Sequence, residues 1–192
     1  MTEKDALKIF KEENALLGGH FLLSSGLHSP NYMQCALLLQ KPPIAKKLCD
    51  GLAKKLGTIK IDTVIGPALG GILVSYEMAR SLKVRSIFAE RVDGAFGLRR
   101  GFHLKKNEKV LIVEDVVTTG KSTYEVIEIV RQCGAKPVAV ASIVDRSDGS
   151  AIFQEPFFSL LNINIKTYRP EVCPLCRAKK IPLTKPGSRG FK

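Results

Sequence analysis

The sequence predicts an α/β fold, a parallel sheet flanked by helices with a small N-terminal hood beside it. Three observations carry that prediction. Short aliphatic runs, such as Thr63-Val64-Ile65 and Val110-Leu111-Ile112-Val113, lack the apolar–polar alternation of a strand with one wet face, so they belong to strands covered on both sides. Segments of helical period lie between them. Turns rich in glycine or hydroxyl residues stand where strands hand over to helices.

Taken in order, Thr2 has the chemistry of a helix cap, with Asp5 near the positive end of the helix it opens. Ala6, Ile9, Phe10 and Leu17 follow at helical spacing, and Gly18-Gly19 stops the helix. Phe21-Leu22-Leu23 reads as a short strand running into a turn-rich stretch, Ser24 to Pro30. Pro42-Pro43 opens a second helix with Ala45, Leu48, Leu52 and Leu56 on one face. Beyond the 63–65 strand come a turn from Gly66 to Gly71, a helix over 72–82 and a strand over 86–89. A polar, arginine-bearing loop over 90–101 leads towards the 110–113 strand. A helix over about 121–133 and a strand over 138–144 complete the pattern. The segment after Arg169, rich in Pro, Lys and Gly, reads as irregular. The 192 residues therefore suggest one domain, with 1–40 as hood, 60–150 as core and 170–192 as tail.

Hydrophobic residues make up 45% of the chain and charged ones 25%, which suits a folded core and excludes the disordered class. No stretch approaches the roughly 18–20 apolar residues of a membrane span, so no membrane partner is expected. The N-terminus, Met1-Thr2-Glu3-Lys4-Asp5, is acidic and polar where a secretion signal is basic then apolar, and a cytoplasmic location is expected. Cys35, Cys49, Cys133, Cys173 and Cys176 are odd in number and scattered, a poor disulfide framework. The formal net charge of +12 attracts polyanions, either nucleic acid or a phosphorylated small molecule, although scattered solvated lysines such as Lys46, Lys47, Lys54 and Lys55 account for the bias equally well. No helix-turn-helix or RNA-module signature accompanies the charge, so nucleic acid is the less favoured partner.

The most informative segment runs from Val110 to Ser122. Aliphatic residues bury a strand, and two carboxylates, Glu114 and Asp115, appear where open α/β sheets bind ligands. Val116 and Val117 lead into Thr118-Thr119-Gly120-Lys121-Ser122 at the start of a helix. A helix N-terminus offers unpaired N–H groups and the positive end of a dipole, so it suits a phosphate. Gly120 lets the backbone approach closely, and the hydroxyls add donors. The carboxylates would repel a phosphate but can accept from the paired hydroxyls of a ribose. The segment thus describes a cradle for a ribose 5-phosphate. A capped strand-to-helix turn is the bland reading, but such a turn needs no acid pair. A Walker A loop fails, because the position that must be glycine is Asp115. Gly66-Pro67-Ala68-Leu69-Gly70-Gly71 has the wrong spacing for a dinucleotide fingerprint.

The run VLIVEDVVTTGKS resembles the phosphoribosyl pyrophosphate signature of the type I phosphoribosyltransferases. That resemblance implies a Rossmann-like core of parallel strands with a variable hood. It places ribose hydroxyls on Glu114 and Asp115 and the 5′-phosphate on residues 118–122. It makes the turn bearing Ala68, Leu69, Gly70 and Gly71 the pyrophosphate loop, with a cis peptide at Ala68–Leu69. It makes residues 90–101 a loop that closes over pyrophosphate, partly from a neighbouring subunit. Arg91 stands where the orotate-using members have Lys or Arg. The Lys-Asp-His that follows in the usual pattern is missing, and Arg99 or Arg100 substitutes. Phe21 to Tyr32 resembles the hood motif of the same members, directing Ser25, Gly26 and Tyr32 to the base. Val144-Asp145-Arg146-Ser147-Asp148-Gly149 resembles their orotate-arginine segment, with Thr118 also near the base. On its own, Arg146 can equally pair with Asp145 or Asp148.

The catalytic set implied is Arg91, Arg99, Arg100 and Asp115. Orotate and phosphoribosyl pyrophosphate are the implied substrates, Mg²⁺ the cofactor held without direct protein ligands, and a homodimer with shared sites the assembly. A purine phosphoribosyltransferase and a nucleic-acid-binding sensor of the sugar donor are the rivals. Cys173-Pro174-Leu175-Cys176 lacks two further metal ligands at suitable sequence spacing, since His20, His28 and His103 are scattered, and zinc is not expected there. A similar cysteine-bearing tail occurs in one subgroup of the orotate-using enzymes.

Overall fold

The structure is a computed structural model that describes residues 1–23 and 25–185. Ser24, one of the residues read as hood motif, and residues 186–192 of the basic tail lie outside the described residues.

Helix α1 (Glu3–Glu12) opens with a capping box: Thr2 accepts from the Asp5 N–H, and the Asp5 carboxylate accepts from the Thr2 N–H. The helix buries Ala6, Ile9 and Phe10 and ends earlier than the sequence period suggested, because Asn14 turns left-handed at φ 53°. Leu17 therefore belongs to strand β1 (Leu16–Leu22). Gly18-Gly19 does not stop a helix but lies inside β1, which shifts register between Gly18 and Phe21. β1 pairs antiparallel with β2 (His28–Met33), so the stretch read as turns is half strand. Helix α2 (Ala36–Leu39) and helix α3 (Pro42–Lys55) follow, and the predicted face of Ala45, Leu48, Leu52 and Leu56 is buried.

The core alternates from there through β3 (Thr63–Pro67), α4 (Gly70–Leu82), β4 (Arg85–Val92), β5 (Ala95–Leu98), β6 (Lys109–Val117), α5 (Lys121–Gln132), β7 (Lys136–Asp145) and β8 (Phe157–Asn162). The six strands lie in the order β5-β4-β3-β6-β7-β8. All pairs are parallel except β4–β5. The segment over 90–101 is thus not a plain loop. Its Asp93-Gly94 turn, both residues at positive φ, closes a tight β4–β5 hairpin that the polar composition masked. Strand β8 was not anticipated.

Side-chain alternation divides β6 between two cores. Leu111 and Val113 pack with α1, α3 and α4, whereas Val110 and Ile112 pack with α5. Ile112 is fully buried, and truncating such a residue to Ala costs about 2–5 kcal/mol.

From β3 the chain steps to β4 on one side, and from β6 it steps to β7 and β8 on the other. The order reverses between β3 and β6, so the turns after these two neighbours diverge and leave a crevice at their C-terminal ends. Beyond β8 the chain returns to the hood, forming a 3-10 turn (Pro170–Val172) and helix α6 (Pro174–Ala178). His28 and Tyr168 exchange backbone hydrogen bonds, and Thr184 bridges the backbones of His20 and Leu22. The segment after Arg169 is therefore tied down up to Thr184.

Candidate active site

Strand β6 carries the acid pair to the crevice and runs on through Val116 and Val117, so these residues are strand and not loop. Glu114, Val116, Val117, Thr118, Thr119, Gly120, Lys121 and Ser122 line a pocket of about 60 Å³, a volume of roughly two water molecules and suited to a single phosphate group. Helix α5 begins there after Gly120, which has no side chain to cap it; the Lys121 N–H makes a long bond to Thr119 Oγ1 at 3.4 Å, and the next N–H groups of the turn suit an anion. Gly120 sits at φ 74°, and a Cβ would also crowd Tyr124, Phe153 and Ala151. Both constraints select glycine.

The Asp115 carboxylate accepts from the Val116 N–H at 2.9 Å and lies directly over Gly70. A Cβ on Gly70 would stand 2.7 Å from Asp115 Oδ1, so the contact between Asp115 and the turn after β3 exists only because residue 70 is glycine. The Ala68–Leu69 peptide is cis, as the resemblance implied. Ala68 donates its N–H to Ala89 at 2.8 Å, and Leu69 is 84% exposed. The two anion turns, after β3 and after β6, thus face one crevice with the acids between them.

Burial, followed by repulsion from Asp115, holds Glu114 well above the usual carboxylate range, and burial raises Asp115 as well. A raised carboxylate withdraws stability from the free protein as pH rises through its folded value.

Arg146 follows the end of β7 and is anchored by its own N–H to Val117 at 2.8 Å. Its guanidinium has no ion pair among the described residues, and its Nε is buried without a hydrogen-bond partner. The neighbouring acids are engaged elsewhere: Asp145 accepts from the Ser147 N–H at 2.8 Å and Asp148 from Asn164 at 3.0 Å. A local ion pair at Arg146 is thereby excluded. Burial lowers its pKa, and Tyr32 and Cys35 lie close enough to act on it. Tyr32 comes from β2, its ring 5.8 Å from that of Phe21, and its hydroxyl is raised by burial beside Arg146 and Asp115. Ser25 and Gly26 occupy the exposed hairpin tip, where their hydrogen bonds stay within the turn.

The three arginines over 90–101 differ in what holds them. Arg91 pairs with Glu125 of α5 at 2.8 Å, bonds the Gly94 carbonyl and stacks on Phe96 at 4.1 Å. Arg100 forks onto Glu90 at 2.7 and 2.8 Å. Arg99 is exposed and holds no acid among the described residues. Two neighbours escaped the sequence reading. Glu125 sits at a half-buried position of α5, and nothing in the pattern marks it. Cys35 is fully buried, with its thiol 4.0 Å from the Asp115 carbonyl, and only the fold brings it there.

Two glycine-bearing turns at a switch point, with an acid pair between them, form a cleft whose chemistry suits a phosphorylated sugar. Residues 37–172 match the family model described as a phosphoribosyl transferase domain, and the chain belongs to that family. Its similarities fall among the orotate phosphoribosyltransferases. A protein of that name from Carboxydothermus hydrogenoformans is 58% identical over 187 residues, covering 96% of this chain and 97% of that one. Another from Caldicellulosiruptor bescii is 56% identical over 187 residues, covering 97% and 98%. The crystal structure of orotate phosphoribosyltransferase from Aeropyrum pernix superposes with a TM-score of 0.68 at 27% identity, covering 81% of this chain and 92% of that one.

Proposed function

We propose that this chain transfers the 5-phosphoribosyl group of phosphoribosyl pyrophosphate to orotate, giving orotidine 5′-monophosphate and pyrophosphate on the route to UMP. The observation that carries this reading is Arg146, a partly buried guanidinium with an orphaned Nε beside the sugar acids. A cation buried without a partner is costly unless a ligand supplies the anion. Orotate has a carboxylate to meet it in a bidentate pair, and adenine and hypoxanthine have none. The names of the close relatives support the same base.

In this reading the helix start at 118–122 holds the 5′-phosphate, and Glu114 and Asp115 accept from the ribose hydroxyls. Ala68, Leu69, Gly70 and Gly71 cradle the pyrophosphate. Tyr32 and Thr118 border the base, with Ser25 and Gly26 closing from the hood. The bond from ribose C1 to pyrophosphate breaks ahead of bond formation to orotate N1, whose proton passes to the departing pyrophosphate or to solvent, so positive charge gathers on the sugar and negative charge on the leaving group. Neutralising that anion and excluding water are the protein's tasks, and no covalent nucleophile is needed. Arg91, Arg99 and Arg100 form the clamp. Arg99 meets pyrophosphate without surrendering an ion pair, whereas Arg91 and Arg100 must leave Glu125 and Glu90.

The oxygen-only donors Glu114 and Asp115 fit Mg²⁺, a hard cation, beside the pyrophosphate turn. Substrate oxygens would carry most of the ion's coordination, and Glu114 and Asp115 would be the protein groups to help hold it. When bound it neutralises charge on the pyrophosphate.

A homodimer suits the exposed apolar side of α4. Leu73 and Tyr76 are 49% and 65% exposed, beside a cleft of about 430 Å³ lined by Ile72, Val84, Phe88 and Phe102. Among the described residues no helix is long and apolar enough to cross a membrane, in keeping with a cytoplasmic enzyme.

The test is pyrophosphate release with Mg²⁺ and the sugar donor, offering orotate, adenine or hypoxanthine in turn. Release with orotate alone is expected. Release with a purine in place of orotate defeats the assignment.

A further inference from the structure

The sequence separations that argued against a metal do not survive folding. His20 of β1, His28 of β2, Cys173 and Cys176 bring one ligand atom each to a common point, all four within 4.8 Å of one another. We propose that these residues form a structural zinc site that fastens the C-terminal segment to the β1–β2 hairpin.

The geometry is that of a tetrahedron's edges. His20 Nε2 stands 3.1 Å from His28 Nδ1 and 3.6 Å from each of the Cys173 and Cys176 sulfurs. Cys176 Sγ stands 3.2 Å from His28 Nδ1. Metal–sulfur bonds of about 2.3 Å and metal–nitrogen bonds of about 2.0–2.1 Å give edges of roughly 3.3–3.8 Å, so a small inward or outward adjustment seats the ion. His20 is already oriented for it. Its Nδ1 lies 3.2 Å from the Ile181 carbonyl, which can only accept, so the proton sits on Nδ1 and the Nε2 lone pair faces the cluster. That carbonyl belongs to the same segment the site would fasten.

The donor set selects the metal. Two thiolates and two imidazoles suit zinc and its tetrahedral preference, not Mg²⁺ or Ca²⁺. On binding, the two thiols release their protons, and two thiolates with Zn²⁺ leave the site neutral, which suits its burial. His20, His28 and Cys173 are buried and Cys176 is partly so. Four protein ligands leave no open position, so the role is structural. The fastened elements bear on the base site. β2 carries Tyr32, and the hairpin tip carries Ser25 and Gly26.

The full chain, prepared without chelator and given Zn²⁺, is measured for metal by mass spectrometry, and is separately loaded with Co²⁺ for its visible spectrum. About one zinc per chain is expected, along with the thiolate-to-cobalt and ligand-field bands of a tetrahedral sulfur–nitrogen site. Cys173→Ser with Cys176→Ser is expected to lose both. Should that variant fail to fold, alkylation of the wild-type chain decides. Zn²⁺ is expected to shield Cys173 and Cys176, and chelation to expose them, while the exposed Cys133 reacts throughout. A folded wild-type chain that takes up neither metal overturns the proposal. So does a Cys173–Cys176 disulfide that persists after reduction and zinc addition, or equal alkylation with and without Zn²⁺.

Discussion

Arg146 and Asp115 show how single side chains are positioned by groups that a linear reading treats separately. Arg146 is held by its backbone N–H on Val117, so its guanidinium is aimed by β6 although it follows β7. Because the guanidinium is partly buried, with its Nε unpartnered, replacing it with alanine removes a partly desolvated charge and no ion pair. Arg146→Ala is therefore expected to raise the KM for orotate by roughly 10–100-fold, the worth of a charge-assisted pair, while the KM for the sugar donor stays nearly constant. The thermal midpoint should hold or rise. Steady-state kinetics and calorimetry check both, and a shared loss of affinity for both substrates would move Arg146 out of the base site. Both residues were legible as candidates from the sequence. What was not legible was whether Arg146 was spoken for, since Asp145 and Asp148 flank it and only the structure directs them elsewhere.

At the scale of elements, helices α3 and α4 are joined by a charge cluster away from the crevice. Asp50 accepts from Lys46 and from Arg80, each at 2.7 Å, and Arg80 also holds Glu77 at 2.7 Å. Hydrogen bonding from Lys46, joined by Arg80 and Ser81, outweighs the opposing effect of burial and sets Asp50 at about 2, against its ordinary 3.8. A depressed carboxylate contributes stability above its unfolded value and loses it as pH falls through the folded one. Asp50→Asn is expected to cost about 1 kcal/mol at neutral pH after allowance for solvent screening. The gap from wild type should shrink below pH 4 and be nearly gone at pH 2, as the carboxylate protonates first in the unfolded chain and then in the folded one. Urea midpoints measured across that range test it, and a gap that ignores pH would sink it. Helices and buried strands were the most readable elements, because α3 and β6 carry long, consistent apolar patterns. The β4–β5 hairpin was misread for a physical reason. β5 is a short edge strand, and the end of β4 that pairs with it carries Glu90 and Arg91, so only the Asp93-Gly94 turn signals the hairpin.

For the molecule as a whole, two surfaces remain to be covered or fastened. One is the apolar side of α4 next to the pyrophosphate turn, where Leu69 and Tyr76 stand in solvent in the single chain. Tyr76→Glu is expected to leave the circular dichroism unchanged, convert a dimer to monomers in sedimentation velocity and lower turnover. A wild-type chain that sediments as a monomer at micromolar concentration refutes the assembly. The other is the junction of the chain's two ends, where His20 and His28 meet Cys173 and Cys176. Backbone pairs at Tyr168 and Thr184 already bring the C-terminal segment to the hood, so a zinc ion would close a contact the fold has made.

The amino-acid sequence alone determined the sheet's class, the acid pair and the glycine-bearing turns where strands hand over to helices. These are local features, because strand burial, glycine conformation and helix starts are written within a dozen neighbouring residues. Tertiary structure alone decided that Asp115 rests on Gly70, that Arg146 keeps an unsatisfied nitrogen, and that two histidines near the start meet two cysteines near the end. Such meetings depend on chain reversals and strand order, which bring together residues with no local signal of their proximity.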